Sequence, residues 1–232
     1  MTRGLRYALA IWVLELLFVL QVCPAFGSLT PGATSALKTT HQIAEATITD
    51  HGSTCSATAI GPHAILTASH CEEPTDIIQV DDTDYKIVGI IRDSFDHTIY
   101  LLGGRAMFKD VAPTGTGSGQ IGDDIFVVGN PGPYTRLFRR GVIAGKTSSQ
   151  LSSWLVDNSG AILYDFNGFF GDSGAAIFND NGEIIGVVSE VSGTARQPDS
   201  NEWPIGFKIM LGWPLHFTAA QLEQARNFVP KG

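Results

Sequence analysis

Three residues scattered along the chain are of the types that together perform acyl transfer. Ser173 stands in Gly171-Asp172-Ser173-Gly174, and the apolar run Ala175-Ala176-Ile177-Phe178 follows at once. A serine hydroxyl is a weak nucleophile until a base takes its proton, and a histidine oriented and balanced by a carboxylate is a base suited to the task. His70 follows the apolar run Ala64-Ile65-Leu66-Thr67-Ala68, and Asp96 opens the run His97-Thr98-Ile99-Tyr100-Leu101-Leu102. Each also has an ordinary reading. Gly, Asp and Ser are common turn residues, and a lone histidine at a strand end is commonly a half-buried structural one. Asp81, Asp82, Asp84 and Asp93 compete with Asp96 for the carboxylate role, most of them as turn residues. Asp96 is preferred because the apolar run begins directly behind it, so its side chain can reach inward at the start of a strand. With Asp93 in that role, Asp96 would fall within the buried stretch.

The elements that must hold these residues are short. From Ile43 onward, apolar runs rich in Ile, Val, Thr and aromatics alternate with Gly, Asn, Asp or Pro, as in SATAIG, HAILTAS, YKIVGII, HTIYLLG, DIFVVGN and EIIGVVSEV. Runs of this length and composition read as strands, and so many in series imply an all-β sandwich or barrel. The Gly-rich stretch from Ala112 to Asp124 divides them into two comparable groups and is expected to connect two β subdomains. Near the end, Thr218 followed by Gln221 is a capping-box pattern, and Leu222, Ala225 and Val229 fall on one helical face, so a C-terminal helix is expected.

The composition bounds the function. The chain has 232 residues, 44% of them hydrophobic and 16% charged, enough to bury a core. Its net charge of −8 disfavours a nucleic-acid partner. The one basic cluster, Arg136-Leu137-Phe138-Arg139-Arg140, reads as the solvated face of a strand. Residues 1–27 carry Arg3 and Arg6, an apolar run from Tyr7 to Val22 and small residues before Ser28, the layout of a secretory signal peptide. The rival is a membrane anchor over residues 7–26, which the shortness of the run and Glu15 within it oppose. Cleavage would remove Cys23 and leave Cys55 and Cys71, an even count that in an exported chain implies one disulfide; two buried free thiols are the alternative. The six histidines lack metal-ligand spacing, so no metal or other cofactor is expected.

Taken together, TCSATAIGPHAILTASHC, DHTIYLL and GDSGAAIF with NGEIIGVVS resemble the trypsin/chymotrypsin-like serine peptidases, over about Ile43 to Val229. The order His, Asp, Ser fits that family and not the α/β-hydrolases, and Ala175 replaces the last glycine of their G-x-S-x-G elbow. The resemblance implies two packed six-stranded antiparallel β-barrels with a C-terminal α-helix: an N-terminal arm over 28–42, a first barrel over 43–111 with His70 and Asp96, a connector over 112–123, a second barrel over 124–217 with Ser173, and a helix and tail over 218–232. It makes His70 the general base, Asp96 its orienting carboxylate and Ser173 the nucleophile, with the Gly171 and Ser173 N–H groups as oxyanion hole. Cys55 and Cys71 match the pair that bridges the strand before the histidine to the histidine turn. Ser189 matches the serine on the substrate-facing strand near the aspartate. The expected substrate is a protein or peptide, cut by a secreted, monomeric enzyme.

The sequence also departs from the family. No Ile-Val-Gly-Gly type start stands ahead of Ile43, so Asp172 is expected to take a partner other than a new amino terminus, and the enzyme to mature without that insertion switch. Asn167 occupies the position at the base of the specificity pocket, where a carboxylate would select Lys or Arg, so an uncharged side chain before the cut is expected. Phe169, Phe170 and Val191 are candidates to narrow or line that pocket, and Glu190 replaces a frequent aromatic residue. The short loops are nearer the compact HtrA-like and viral branches. Two other readings stay open: a catalytically silent binding module on the same fold, and a membrane-tethered viral-type processing protease.

Overall fold

The computed structural model describes residues 29–44, 54–71, 76–105, 108–131, 134–146, 160–192 and 209–231. The expected leader, residues 1–27, lies outside them. Strands β1 (Thr40–Ala44), β2 (Thr54–Gly61), β3 (Ala64–Ala68), β4 (Ile77–Val80), β5 (Thr83–Arg92) and β6 (His97–Leu102) form one closed barrel in the order β1-β2-β3-β6-β5-β4. Strands β7 (Asp124–Gly129), β8 (Leu137–Lys146), β9 (Ile162–Asp165), β10 (Ala176–Phe178), β11 (Ile184–Ser192) and β12 (Ile209–Trp213) form the other, in the order β10-β11-β12-β9-β8-β7. All pairs between these strands are antiparallel.

Burial follows from composition. The strands β3 and β6, AILTA and HTIYLL, are buried at every position, whereas β5 alternates over much of its length between buried and exposed residues. The site-bearing strands are therefore wrapped on both faces, which suits their β-branched and small side chains. Register breaks at Ala59/Gly61, Ile87/Gly89, Ile143/Gly145 and Val188/Glu190 are bulges that bend the strands into closure. Ile43, Ile65, Leu66, Ile99 and Leu102 fill the first barrel; Ile125, Val127, Ile143, Ile162, Tyr164 and Ile177 fill the second.

Among the described residues, two helices clasp the barrels. The N-terminal arm over 28–42 holds helix α1 (Pro31–Thr39), and β1 begins within it at Thr40, ahead of Ile43. Thr30 caps α1, its side chain accepting from Ala33 N at 3.2 Å, and Pro31 occupies the first turn. The face that α1 buries consists of Gly32, Ala33, Ala36 and Thr39, too small to register as a hydrophobic stripe, yet Gly32 lets the backbone close on Phe126 and Asn179. At the other end, α2 (Ala219–Arg226) carries the expected capping box between Thr218 and Gln221. Ala225 is buried against Gly61, whereas Val229, expected on the same face, is 76% exposed because the helix has ended before it.

The first barrel closes between β1 and β4 through one backbone pairing, Ile43 with Val80, reinforced by a side-chain clasp. His41 Nδ1–H donates to Asp81 Oδ2 at 2.6 Å, and Gln42 N–H to Asp81 Oδ1 at 2.9 Å. Asp81 and Asp82 turn the chain at φ 45° and 64°, a left-handed conformation that aspartate tolerates. Burial works to raise the Asp81 pKa, but the hydrogen bonds from His41 and Gln42 and the charges of His41 and Arg136 outweigh it and hold the carboxyl below its usual range. A carboxyl depressed on folding contributes stability above its unfolded pKa and loses it as pH falls through the folded value. Asp81→Asn, which keeps the turn conformation, is therefore expected to lower stability at pH 7 by less than about 1 kcal/mol, the clasp being half-exposed. Urea unfolding should show that gap closing as pH falls below the usual carboxylate range.

Candidate active site

His70 lies on a single 3₁₀ turn, Ser69–Cys71, that continues directly from β3, and Asp96 lies in the loop between β5 and β6. Because β3 pairs with β6, with Ala68 opposite His97, His70, two residues after Ala68, is brought to Asp96, which precedes His97. Asp96 accepts twice from the same residue: Oδ1 from the His70 backbone N–H at 2.9 Å and Oδ2 from Nδ1–H at 2.6 Å. A further backbone bond, Ser69 N to Asp96 O at 3.1 Å, ties the two loops. The Asp96 side chain is 6% exposed and the imidazole 21%, so the carboxylate is shielded while the ring keeps an open edge. Among the competing aspartates, Asp96 meets His70, Asp93 meets His97 and Asp81 meets His41.

Ser173 is carried to this pair by backbone contacts with β2. Ser56 N–H donates to Ser173 O at 2.8 Å, and Gly174, at φ +82°, packs so closely that a Cβ there would stand 3.0 Å from Ala68 N, two residues before His70. Only glycine fits that approach. Cys55, next to Ser56, is bridged to Cys71, next to His70, with Cα atoms 6.2 Å apart. One disulfide thus fixes the strand that holds the serine to the turn that holds the histidine.

The turn before Ser173 has an unusual pattern of satisfied donors. Phe169 N–H reaches Asp172 Oδ2 at 2.7 Å, Asp172 N–H reaches Phe169 O at 3.1 Å, Gly174 N–H reaches Val188 O at 2.8 Å, and Ala175 N–H reaches Asp172 O at 2.9 Å. The N–H groups of Gly171 and Ser173, by contrast, meet no acceptor among the described residues. Gly171 adopts φ +100°, a left-handed conformation that glycine takes without steric cost. Two unpaired donors beside a serine are what a developing oxyanion requires.

Sequence reading missed what holds this turn. Asp172 is fully buried, and the Arg139 guanidinium on β8 grips both its carboxylate oxygens. The same guanidinium donates to Asn167 O at 2.9 Å and lies 5.5 Å from the centre of the Phe166 ring. The expectation that the Arg136 to Arg140 stretch is a solvated face is thus corrected for Arg139, which is 10% exposed; Arg140, beside it, faces solvent at 62% and pairs with Asp124. Also missed were Ser56 and Asn130. The Ser56 hydroxyl donates to Gly171 O at 2.9 Å and accepts from Asn130 N and Nδ2 at 3.0 and 3.1 Å. This buried seam joins β2 to the end of β7 and to the turn. Ser56→Ala would strand those donors, and urea unfolding is expected to show a loss of about 1–3 kcal/mol; a loss below about 0.5 would mean that the seam is replaceable.

The remaining candidates are less concentrated. Ser189 is buried on β11, at its bulge, and its hydroxyl finds no partner among the described residues, so it does not support Asp96 directly. Asn167 is exposed, and Phe169 and Phe170 stand at the surface, 47% and 96% exposed. Gly168, between them, is pressed against the Met210 thioether of β12, a contact that nothing in the sequence run signalled. Glu190 and Val191 pair through the backbone with Leu211 and Met210; their side chains lie outside the described residues.

Comparison with known proteins agrees with this architecture. No curated protein matches the chain. Among solved structures, the active form of the Rv3671c protease from M. tuberculosis superposes with a TM-score of 0.61 at 18% identity, covering 88% of this chain and 87% of that one. A serine endoprotease from Yersinia pestis gives 0.57 at 17% identity, covering 79% of this chain, which spans 61% of its length. The HtrA-type protease AlgW, solved with a decapeptide, gives 0.60 at 16% identity, covering 84% of this chain and 66% of that one. At such identities the likeness is one of fold. The family pattern of the trypsin-like peptidase domain, however, runs through residues 55–187, more than half of the sequence and the span that contains His70, Asp96 and Ser173, and the chain belongs to that family.

Proposed function

We propose that the protein is a serine endopeptidase in which Ser173 attacks the substrate carbonyl, His70 is general base and then general acid, and Asp96 orients it. The observation that carries this reading is the double grip of Asp96 on His70, which fixes both the ring's position and its tautomer. With Nδ1–H held by the carboxylate, Nε2 is the nitrogen that takes the serine proton. The tetrahedral oxyanion forms against the Gly171 and Ser173 N–H groups, collapses to an acyl-enzyme as Nε2–H protonates the leaving amine, and water repeats the sequence in reverse roles.

The peptide class of substrate is supported by family membership and by the decapeptide held by the structurally similar AlgW. Asn167, which the family resemblance puts at the pocket base in place of a carboxylate, supports an uncharged side chain before the cut. Export is supported by the leader-like residues 1–27 and by the Cys55–Cys71 bridge. Maturation without a new amino terminus is supported by Arg139, which already occupies the carboxylate that such a terminus would seek.

A fluorophosphonate probe tests the reading. The disulfide-bonded chain from Ser28 should be labelled on Ser173 without further cleavage, and neither Ser173→Ala nor His70→Ala should react. A folded protein that stays unlabelled would make this a binding module on a peptidase fold; labelling only after cleavage near Ile43 would overturn the proposed maturation alone.

A further inference from the structure

Beside the His70–Asp96 couple lies a second one. His97 Nδ1–H donates to Asp93 Oδ2 at 2.6 Å, and both side chains are wholly buried. Asp93 also accepts from Phe95 N–H at 2.8 Å through Oδ1 and from His216 N–H at 3.0 Å through Oδ2. Burial would raise the Asp93 pKa, but the His97 hydrogen bond and charge and the His216 and Phe95 N–H groups outweigh it and hold the carboxyl below its usual range. A buried carboxylate this fully engaged fixes the geometry of everything that donates to it.

What donates to it is the loop that carries Asp96. Asp93 N–H also bonds His97 O at 3.3 Å, so the segment from 93 to 97 is closed on itself through both backbone and side chain, with Asp96 at its far side facing His70. His97 Nε2 is buried and meets no partner among the described residues, so Asp93 alone orients the ring by hydrogen bonding. The bond from His216 joins the loop to the segment that leaves β12, where Phe95 packs on the His216 and Trp213 rings and Phe217 lies near His97. We infer that Asp93 and His97 are positioning residues that set the Asp96 carboxylate against His70 and couple its place to the 213–217 segment. This inference rests on the peptidase reading, in which Asp96 orients the base.

An asparagine at 93 cannot reproduce the three acceptances. With its oxygen toward Phe95, its NH₂ faces the His216 N–H; with its oxygen toward His216, its NH₂ faces the Phe95 N–H. Asp93→Asn is therefore expected to lower kcat roughly 10- to 100-fold with KM nearly unchanged, as a small misplacement of a reacting group does. His97→Asn, which keeps an N–H toward Asp93, should retain most of the wild-type kcat. The separating readout is the low-field proton resonance of the His70 Nδ1–H, recorded in the folded variants with or without turnover. It should shift or broaden in Asp93→Asn and persist in His97→Asn. An unchanged resonance and a kcat within twofold of wild type in Asp93→Asn would reduce the couple to a structural one. A resonance that shifts on Asp93→Asn in a protein whose wild-type form takes no fluorophosphonate label would overturn the peptidase reading and leave the positioning intact.

Discussion

Asp96→Asn is expected to lower kcat by about 10⁴-fold while leaving the fold in place, the scale of loss that the Ser-His-Asp template shows when the histidine is held in the wrong tautomer. The size follows from the two acceptances. Asn at 96 has one oxygen, and the His70 backbone N–H, which Oδ1 accepts at 2.9 Å, can be satisfied by nothing but an acceptor. The amide therefore turns its NH₂ toward Nδ1, at the place where Oδ2 stood 2.6 Å away. Nδ1 then becomes the acceptor, the ring proton moves to Nε2, and a protonated Nε2 cannot take the serine's proton. The volume is unchanged and a hydrogen bond of each kind survives, so stability should move by well under the loss in activation free energy. Steady-state hydrolysis of peptides with uncharged residues before the cut, together with the rate of fluorophosphonate labelling, checks this. A drop of less than about tenfold would mean that Asp96 does not orient the base, and the assignment of the second couple would fall with it.

The parts legible in the sequence were those encoded locally. Runs such as AILTA and HTIYLL, bounded by turn residues, announce strands wherever the chain is later folded, and the Thr218–Gln221 capping box announces α2 within four residues. Partners were harder. Each of three histidines meets an aspartate, at separations of 40, 26 and 4 residues, and nothing local distinguishes the pairs that the barrel register creates from the one that lies within a loop. The helix α1 was missed because its buried face is built from Gly32, Ala33, Ala36 and Thr39, which carry almost no hydrophobic signal. Ser56 and Asn130 were missed because a polar residue in an all-buried strand declares only that a partner exists, not where it lies. Arg139 is different, since its signal was present. On a strand, successive side chains point to opposite faces, so Arg139 and Arg140 cannot both be on the solvated side, and one of them had to seek a buried anion. Asp172, already short of a partner by the family comparison, was the candidate.

That pairing carries the second large effect. In Arg139→Leu the Asp172 carboxylate, fully buried, would keep only the Phe169 N–H at 2.7 Å in place of a two-pronged guanidinium. Breaking a buried pair from one side costs about 3–5 kcal/mol, because the remaining charge has neither water nor counter-ion. The loss should appear as a lower urea midpoint at unchanged slope. Since Arg139 also holds Asn167 O, both ends of the segment that leads into Gly171 lose their anchor, and the two N–H donors there lose their fixed direction. Labelling of Ser173 should slow by about 10²–10³-fold, the scale of a lost oxyanion donor. Arg139→Lys, which keeps the charge but not the fork, should fall between the two. Arg139→Leu combined with Asp172→Asn separates the causes. If the buried charge is the cost, the double variant should recover part of the stability that Arg139→Leu lost. It should not recover labelling, because a neutral amide restores no tie to Asn167. Recovery of both would make the pair an electrostatic match with no hold on the turn, and a loss below about 1 kcal/mol in Arg139→Leu itself would show that another group can reach Asp172.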